Sequence, residues 1–149
     1  MESKARYNYK LVLIGIKTRE KKIVDKFISS LGLSKSVIVA PYLDRSYLID
    51  LLQRCEINVI PSSEEGYGIP LLEALVYSKR IVCSDIKVFR EIADGYANFV
   101  DINKPFELAK ILDSVLQDKS TNLKKFDFNK FKENVLIEKS IVWKKINEL

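Results

Sequence analysis

Histidine is absent from all 149 residues. That excludes a Ser-His-Asp triad, a Cys-His dyad and any His-ligated metal site. Proton transfer, if the chain performs any, falls to Glu, Asp, Lys, Tyr or Cys. Cysteine occurs twice, at Cys55 and Cys83. Both lie in apolar segments, which is no disulfide framework. No apolar run approaches the roughly 20 residues that span a bilayer. The opening Met1-Glu2-Ser3-Lys4 lacks the apolar stretch of a secretory leader, so a cytoplasmic location is the default expectation. What is present is ordinary for a globular chain: 47% hydrophobic and 30% charged residues. Disorder is thereby excluded as the main description. At roughly 150 residues one domain can bury a core without staples.

Charge is in modest surplus, 25 Lys and Arg against 20 Asp and Glu, for a net +5. The surplus sits toward both ends, from Lys4 to Lys22 and from Lys124 to Lys145. Solvated helix faces account for it; the sharper alternative is a surface for phosphates or for anionic head groups at the inner face of a membrane. No zinc-finger, RRM or helix-turn-helix pattern is present, so nucleic acid is not an expected partner.

Apolar periodicity alternates between two kinds. Lys10–Gly15, Ser36–Ala40, Ile57–Ile60, Arg80–Ser84 and Asn98–Asp101 are short apolar runs that read as strands. Between and after them lie helical patterns: Thr18–Leu31 with Thr18 as N-cap and Gly32 as stop, a helix capped by Asp44 or Ser46, Pro70–Lys79, Val88–Ala93, and Pro105–Gln117. A final helix is expected from Asn129 to the end. The pattern predicts an α/β fold: a Rossmann-like parallel sheet of about five strands with helices on both faces. The expected organisation is an N-terminal extension over 1–9, the α/β domain over 10–117, and a polar connection with a terminal helix over 118–149. In such sheets ligands bind beyond the carboxyl ends of the strands, which directs attention to Gly15–Lys17, Ala40–Tyr42, Pro61–Ile69 and Ser84–Asp85.

The most informative of these segments is Pro61-Ser-Ser-Glu-Glu65-Gly-Tyr-Gly-Ile-Pro70-Leu-Leu-Glu73. Gly66 and Gly68 let the backbone approach a ligand with no Cβ in the way. The helix that follows offers free N–H groups and a positive dipole end, a setting for phosphate. A carboxylate would repel phosphate, so Glu73, expected in the first helical turn, suits sugar hydroxyls, and Glu65 suits a second polar group. These elements suggest a site for a phosphorylated sugar or a nucleotide. The bland alternative is a tight strand-to-helix turn with Glu65 solvated and Glu73 favouring the helix start.

The order of residues is more specific than their physics. Pro61-Ser62, Glu65-Gly66-Tyr67-Gly68-Ile69-Pro70 and Glu73-Ala74 resemble the signature of the retaining, GT-B-fold glycosyltransferases of the glycogen-synthase-like, glycosyl-transferases-group-1 superfamily. Glu65 and Glu73 match the two acidic residues of its E-x7-E motif, and the likeness extends over about residues 10–117. The resemblance implies a donor-binding domain that takes a UDP- or GDP-sugar as substrate, with no cofactor and no metal. Glu73 would bind the nucleotide ribose and Glu65 would be the acidic residue beside the transferred sugar. Backbone at Gly66, Tyr67, Gly68 and Ile69 would hold sugar hydroxyls and phosphate, and Tyr42 would sit beside the base. Reaction in this superfamily retains anomeric configuration, with the donor phosphate as base, so lack of histidine is no obstacle.

Three departures from the pattern carry consequences. The superfamily's domain begins with one more strand and helix, which bear an Arg and a Lys for the donor diphosphate; only nine residues precede the first strand here. Lys17 or Arg19 reads as a substitute from the neighbouring loop, and Lys17 reads equally as a solvated lysine. The acceptor-binding N-terminal domain is also expected outside this chain, so the resemblance implies a partner half. Without the extra strand, the first and third strands must pair directly or leave two edges open to another chain. Last, Ser78 and Arg80 stand where Gly and Pro are usual. Two functions therefore stay open: a glycosyltransferase donor domain transferring sugar to a glycan or lipid-linked acceptor, and a non-catalytic nucleotide-sugar-binding or interaction module.

Overall fold

The computed structural model describes residues 9–118, 126–129, 131 and 133. Strands and helices alternate throughout: β1 (Leu11–Ile14), α1 (Thr18–Ser30), β2 (Val37–Ala40), α2 (Arg45–Arg54), β3 (Asn58–Ile60), α3 (Ile69–Tyr77), β4 (Ile81–Ser84), α4 (Lys87–Ala93), β5 (Asn98–Val100) and α5 (Pro105–Gln117). Every strand expected from an apolar run forms, and the helices begin and end close to the capping and stop residues. The expected extension 1–9, except Tyr9, and most of the expected terminal helix lie outside the described residues.

All strand pairs are parallel, but they form two leaves. β1 pairs with β2, Leu11 opposite Val37 through Ile14 opposite Ala40. β4 lies between β3 and β5, with Val59 opposite Val82 and Cys83 opposite Phe99. No ladder joins the two leaves among the described residues. The single sheet of about five strands is thus divided between its first two strands and its last three. What joins the halves is packing of α2 against α3, with an ion pair described below.

Burial follows this division. Leu71, Ala74, Val82, Phe89 and Ala93 have no exposed surface, and all four residues of β4 are buried. Leu71, Ala74, Phe89 and Ala93, with Ile60, Leu75, Ile81, Cys83 and Ala97, form one core against the second leaf. α3 and α4 cover the face that carries Ile81 and Cys83, and α5 packs against β5. In the first leaf no strand residue is fully buried, and Leu11 and Ile38 each keep about half of their surface in water, 50% and 51%. Phe126 closes the other end of the core, edge-on to Tyr96 with ring centroids 5.3 Å apart.

Arg80 accounts locally for one departure from the superfamily pattern. Its guanidinium donates to the carbonyl of Val115 at 2.8 Å and to that of Asp118 at 3.4 Å, and it pairs with Glu56. The last carbonyls of α5, unsatisfied within the helix, thereby gain a cationic donor. A proline at this position could not make that tie.

Candidate functional site

The site is built on the segment between β3 and α3. β3 ends at Ile60, and the Ser84 hydroxyl donates to the Ile60 carbonyl at 3.3 Å. The carboxyl ends of β3 and β4 are thus tied side by side where the loop departs. Within the loop the Ser62 hydroxyl donates to Glu65 Oε1 at 3.1 Å. That bond orients Glu65, which is half-buried rather than freely solvated.

The two glycines differ in role. Gly68 is the N-cap of α3, in the left-handed region at φ 63° and ψ 32°, which L side chains rarely adopt. A Cβ there would stand 2.8 Å from Ile92 Cδ1 and 3.5 Å from Phe89 Cε1 and Val88 Cγ1. Gly68 therefore lets α3 start hard against α4, and the side that a Cβ would take is filled by this chain's own side chains. Gly66 is the opposite: a Cβ there would meet nothing within 4 Å. Its backbone faces open space, and Tyr67 beside it is 85% exposed.

α3 starts at Ile69, with Pro70 in its first turn, where the missing N–H costs nothing. Glu73 is consequently one residue past the first turn in which it was expected, because the helix begins one residue before the proline. Its carboxylate Oε1 lies 3.8 Å from Arg45 Nη1, and its side chain is 28% exposed against 75% for Arg45. Arg45 is the first residue of α2. It had no place in the sequence reading; the one available signal was a cation at a helix start, where the peptide dipoles disfavour it.

The remaining candidates are placed as follows. Ile69 is exposed at the start of α3. Tyr42, almost wholly exposed, lies in the turn after β2. Lys17 is the N-cap residue of α1, exposed, just beyond the carboxyl end of β1. Its carbonyl accepts from Glu20 N and Lys21 N; Thr18 is thus the first helical residue and not the cap. Lys17 and Tyr42 belong to the first leaf, and Glu65 through Glu73 to the second. The helix caps at Lys17, Asp44 and Gly68 make no side-chain capping bond, so N–H groups at these helix starts have no side-chain acceptor at the cap.

Beyond β4, Arg90 grips Asp85 with two bonds of 2.7 and 2.8 Å and lies over the Phe99 ring, 4.0 Å from its centroid. That hydrogen-bonded guanidinium holds the Asp85 carboxyl below its ordinary range, and Asp85 in turn raises Arg90. Burial pushes the Cys83 thiol up to about 12 and raises that of Cys55. Both cysteines are protonated at neutral pH and poor nucleophiles. Among the described residues no group of three or more Cys, Asp or Glu is arranged to hold a metal ion, and no helix is long and apolar enough to cross a membrane.

These observations define an α/β domain with parallel strands and a glycine-containing loop between β3 and α3, and comparison with known proteins gives that class a family. Residues 1–133 match the family described as glycosyl transferases group 1, and the chain belongs to that family. A serotype-specific mannosyltransferase, WbdA, from Escherichia coli is 28% identical over 113 residues, 73% of this chain and 14% of that protein. The O-antigen chain mannosyltransferase RfbU of Salmonella typhimurium is 25% identical over 134 residues, 86% of this chain and 38% of that protein. Each match spans well under half of the relative's length. A crystal structure of the C-terminal domain of a group 1 family glycosyltransferase (LpcC) from Francisella tularensis superposes with a TM-score of 0.65 at 26% identity, over 78% of this chain and 64% of that one. The chain is thus a glycosyltransferase-family domain whose fold is that of a GT-B C-terminal domain.

Proposed function

We propose that this chain binds the nucleotide-sugar donor of a retaining glycosyltransferase that passes a hexose to a glycan or lipid-linked acceptor. The observation that carries the reading is Gly66. It lies in open space between an oriented Glu65 and the start of α3, and no packing among the described residues requires a glycine there. On this reading Glu73 accepts from the ribose hydroxyls, Glu65 stands beside the transferred sugar, and the backbone of Gly66, Tyr67 and Ile69 meets sugar and phosphate. Tyr42 flanks the base, and Lys17 is the cation available to the diphosphate. Acceptor attack on the face that the nucleoside diphosphate leaves, with donor phosphate taking the proton, needs no histidine, cofactor or metal. Mannose is the first donor sugar to try, because it is named in the relatives' activities. A cytoplasmic setting, at the inner face of a membrane where the acceptor is lipid-linked, fits such a donor.

Acceptor chemistry requires a second, N-terminal half. The unpaired edges of β1 and β3 among the described residues favour a partner that supplies a strand as well. The same edges favour the second reading, a nucleotide-sugar-binding module without turnover. Titration calorimetry of the chain with UDP, GDP and GDP-mannose tests binding, which both readings share. Saturable binding by the wild type, weakened about tenfold or more in Glu73→Gln, is expected. No binding of any of the three would sink both.

A further inference from the structure

We propose that Arg45 is a positioning residue for the nucleotide, acting through Glu73; the inference rests on the ribose-binding reading of Glu73. Arg45 opens α2, the helix that follows the turn at the carboxyl end of β2. A cation in that first turn opposes the helix dipole, and no acidic residue in the same turn offsets it. Its ion pair with Glu73, at 3.8 Å, reaches from the first leaf's helix to the second leaf's. As a strap between leaves the contact would be weak. Arg45 is three-quarters exposed, and exposed ion pairs contribute only ~0–1 kcal/mol.

The geometry gives it another use. Glu73 is half-buried, and a carboxylate that accepts from a diol must present its oxygens in one orientation. The guanidinium 3.8 Å from Oε1 favours one such orientation. A planar, always-charged fork suits that task better than a mobile ammonium. Arg45 thereby sets how strongly the site distinguishes a ribonucleotide from a deoxyribonucleotide, although it need not touch the nucleotide.

The test measures affinities of the purified full chain for whichever of UDP and GDP binds, and for the 2′-deoxy counterpart. Arg45→Gln is expected to weaken the ribonucleotide about five- to tenfold while leaving the deoxy form within about twofold. Arg45→Lys should recover part of the loss. In a Glu73→Gln background, Arg45→Gln should add nothing, as coupled neighbours require. Thermal melts should be unchanged, consistent with an exposed pair. Wild-type discrimination in Arg45→Gln would overturn the inference while the reading of Glu73 stood. Equal losses on both nucleotides would also overturn it, since Arg45 would then touch a part common to both. Lack of discrimination in the wild type, or no nucleotide binding at all, would remove the ribose-binding reading and this inference with it.

Discussion

At the scale of single residues, two glycines two positions apart do different work. Gly68→Ala places a methyl 2.8 Å from Ile92 Cδ1 in a left-handed backbone conformation. It should cost about 1–3 kcal/mol, visible as a lower denaturant midpoint. Gly66→Ala adds a methyl to empty space; its stability should stay within about 0.5 kcal/mol of wild type, while nucleotide affinity falls. A melt that cannot tell the two variants apart would contradict this division. Cys83 supplies a second residue-scale prediction. Its thiol is raised to about 12 in the fold, first by burial and against the opposing pull of Arg90, whereas an unfolded thiol ionises near ~8.5. Between those values the native state holds the proton that the unfolded state has lost. Stability must therefore fall as pH rises through that window. Urea midpoints at about pH 8 and pH 11 should diverge more for the wild type than for Cys83→Ala, in which the remaining titrations are shared. The Asp85–Arg90 pair works in the other direction. A depressed carboxyl contributes stability that is present above about pH 4 and is lost as pH falls through its lowered folded value.

Elements carry unequal shares of the core. β4 is wholly buried and paired on both sides, and α3 and α4 close over it. β1 has one partner strand, and its Leu11 is half in water. Local opening is easiest where few apolar contacts must break. Hydrogen exchange should accordingly be slowest at Val82, Cys83 and Ser84 and faster by at least tenfold along Leu11–Ile14 and Val37–Ala40. Uniform protection over both leaves would show that the first leaf draws on stabilisation beyond its own described contacts. The elements themselves were largely legible. Short apolar runs marked all five strands, and Pro70, Pro105 and Gly32 marked helix ends, because these residues act locally. What escaped were features set by tertiary contact. The division of the sheet depends on which strands meet. The packing role of Gly68 depends on α4, some 20 residues further on. The Arg45–Glu73 pair joins residues whose distance in sequence gives no hint of their approach. Glu65 and Glu73 were found by their order in a familiar pattern. The groups they meet, the Ser62 hydroxyl at Glu65 and the Arg45 guanidinium at Glu73, became visible only in three dimensions.

On the scale of the whole molecule, the question is what two parallel leaves without a shared ladder can do. Parallel strands apolar on both faces are stable when covered on both faces and both edges. Among the described residues β4 is paired on both edges, whereas β1, β2, β3 and β5 each have one unpaired edge. Lys17 and Tyr42 lie on the first leaf, while Glu65, Gly66 and Glu73 lie on the second. A donor that spans them needs the leaves held in one relation. Apart from helix packing, the named tie across them is an exposed ion pair. A strand inserted between β1 and β3, whether from a preceding segment or from a partner, would fix that relation. Purified chain given GDP-mannose and a glycan or lipid-linked acceptor should therefore show no turnover above background. Co-expression with an N-terminal glycosyltransferase half should raise its melting temperature, slow exchange at β1 and yield transfer that Glu65→Gln abolishes. Measurable transfer by the chain alone would refute the need for a second half. A stabilising partner that never yields transfer would leave the nucleotide-sugar-binding module as the function.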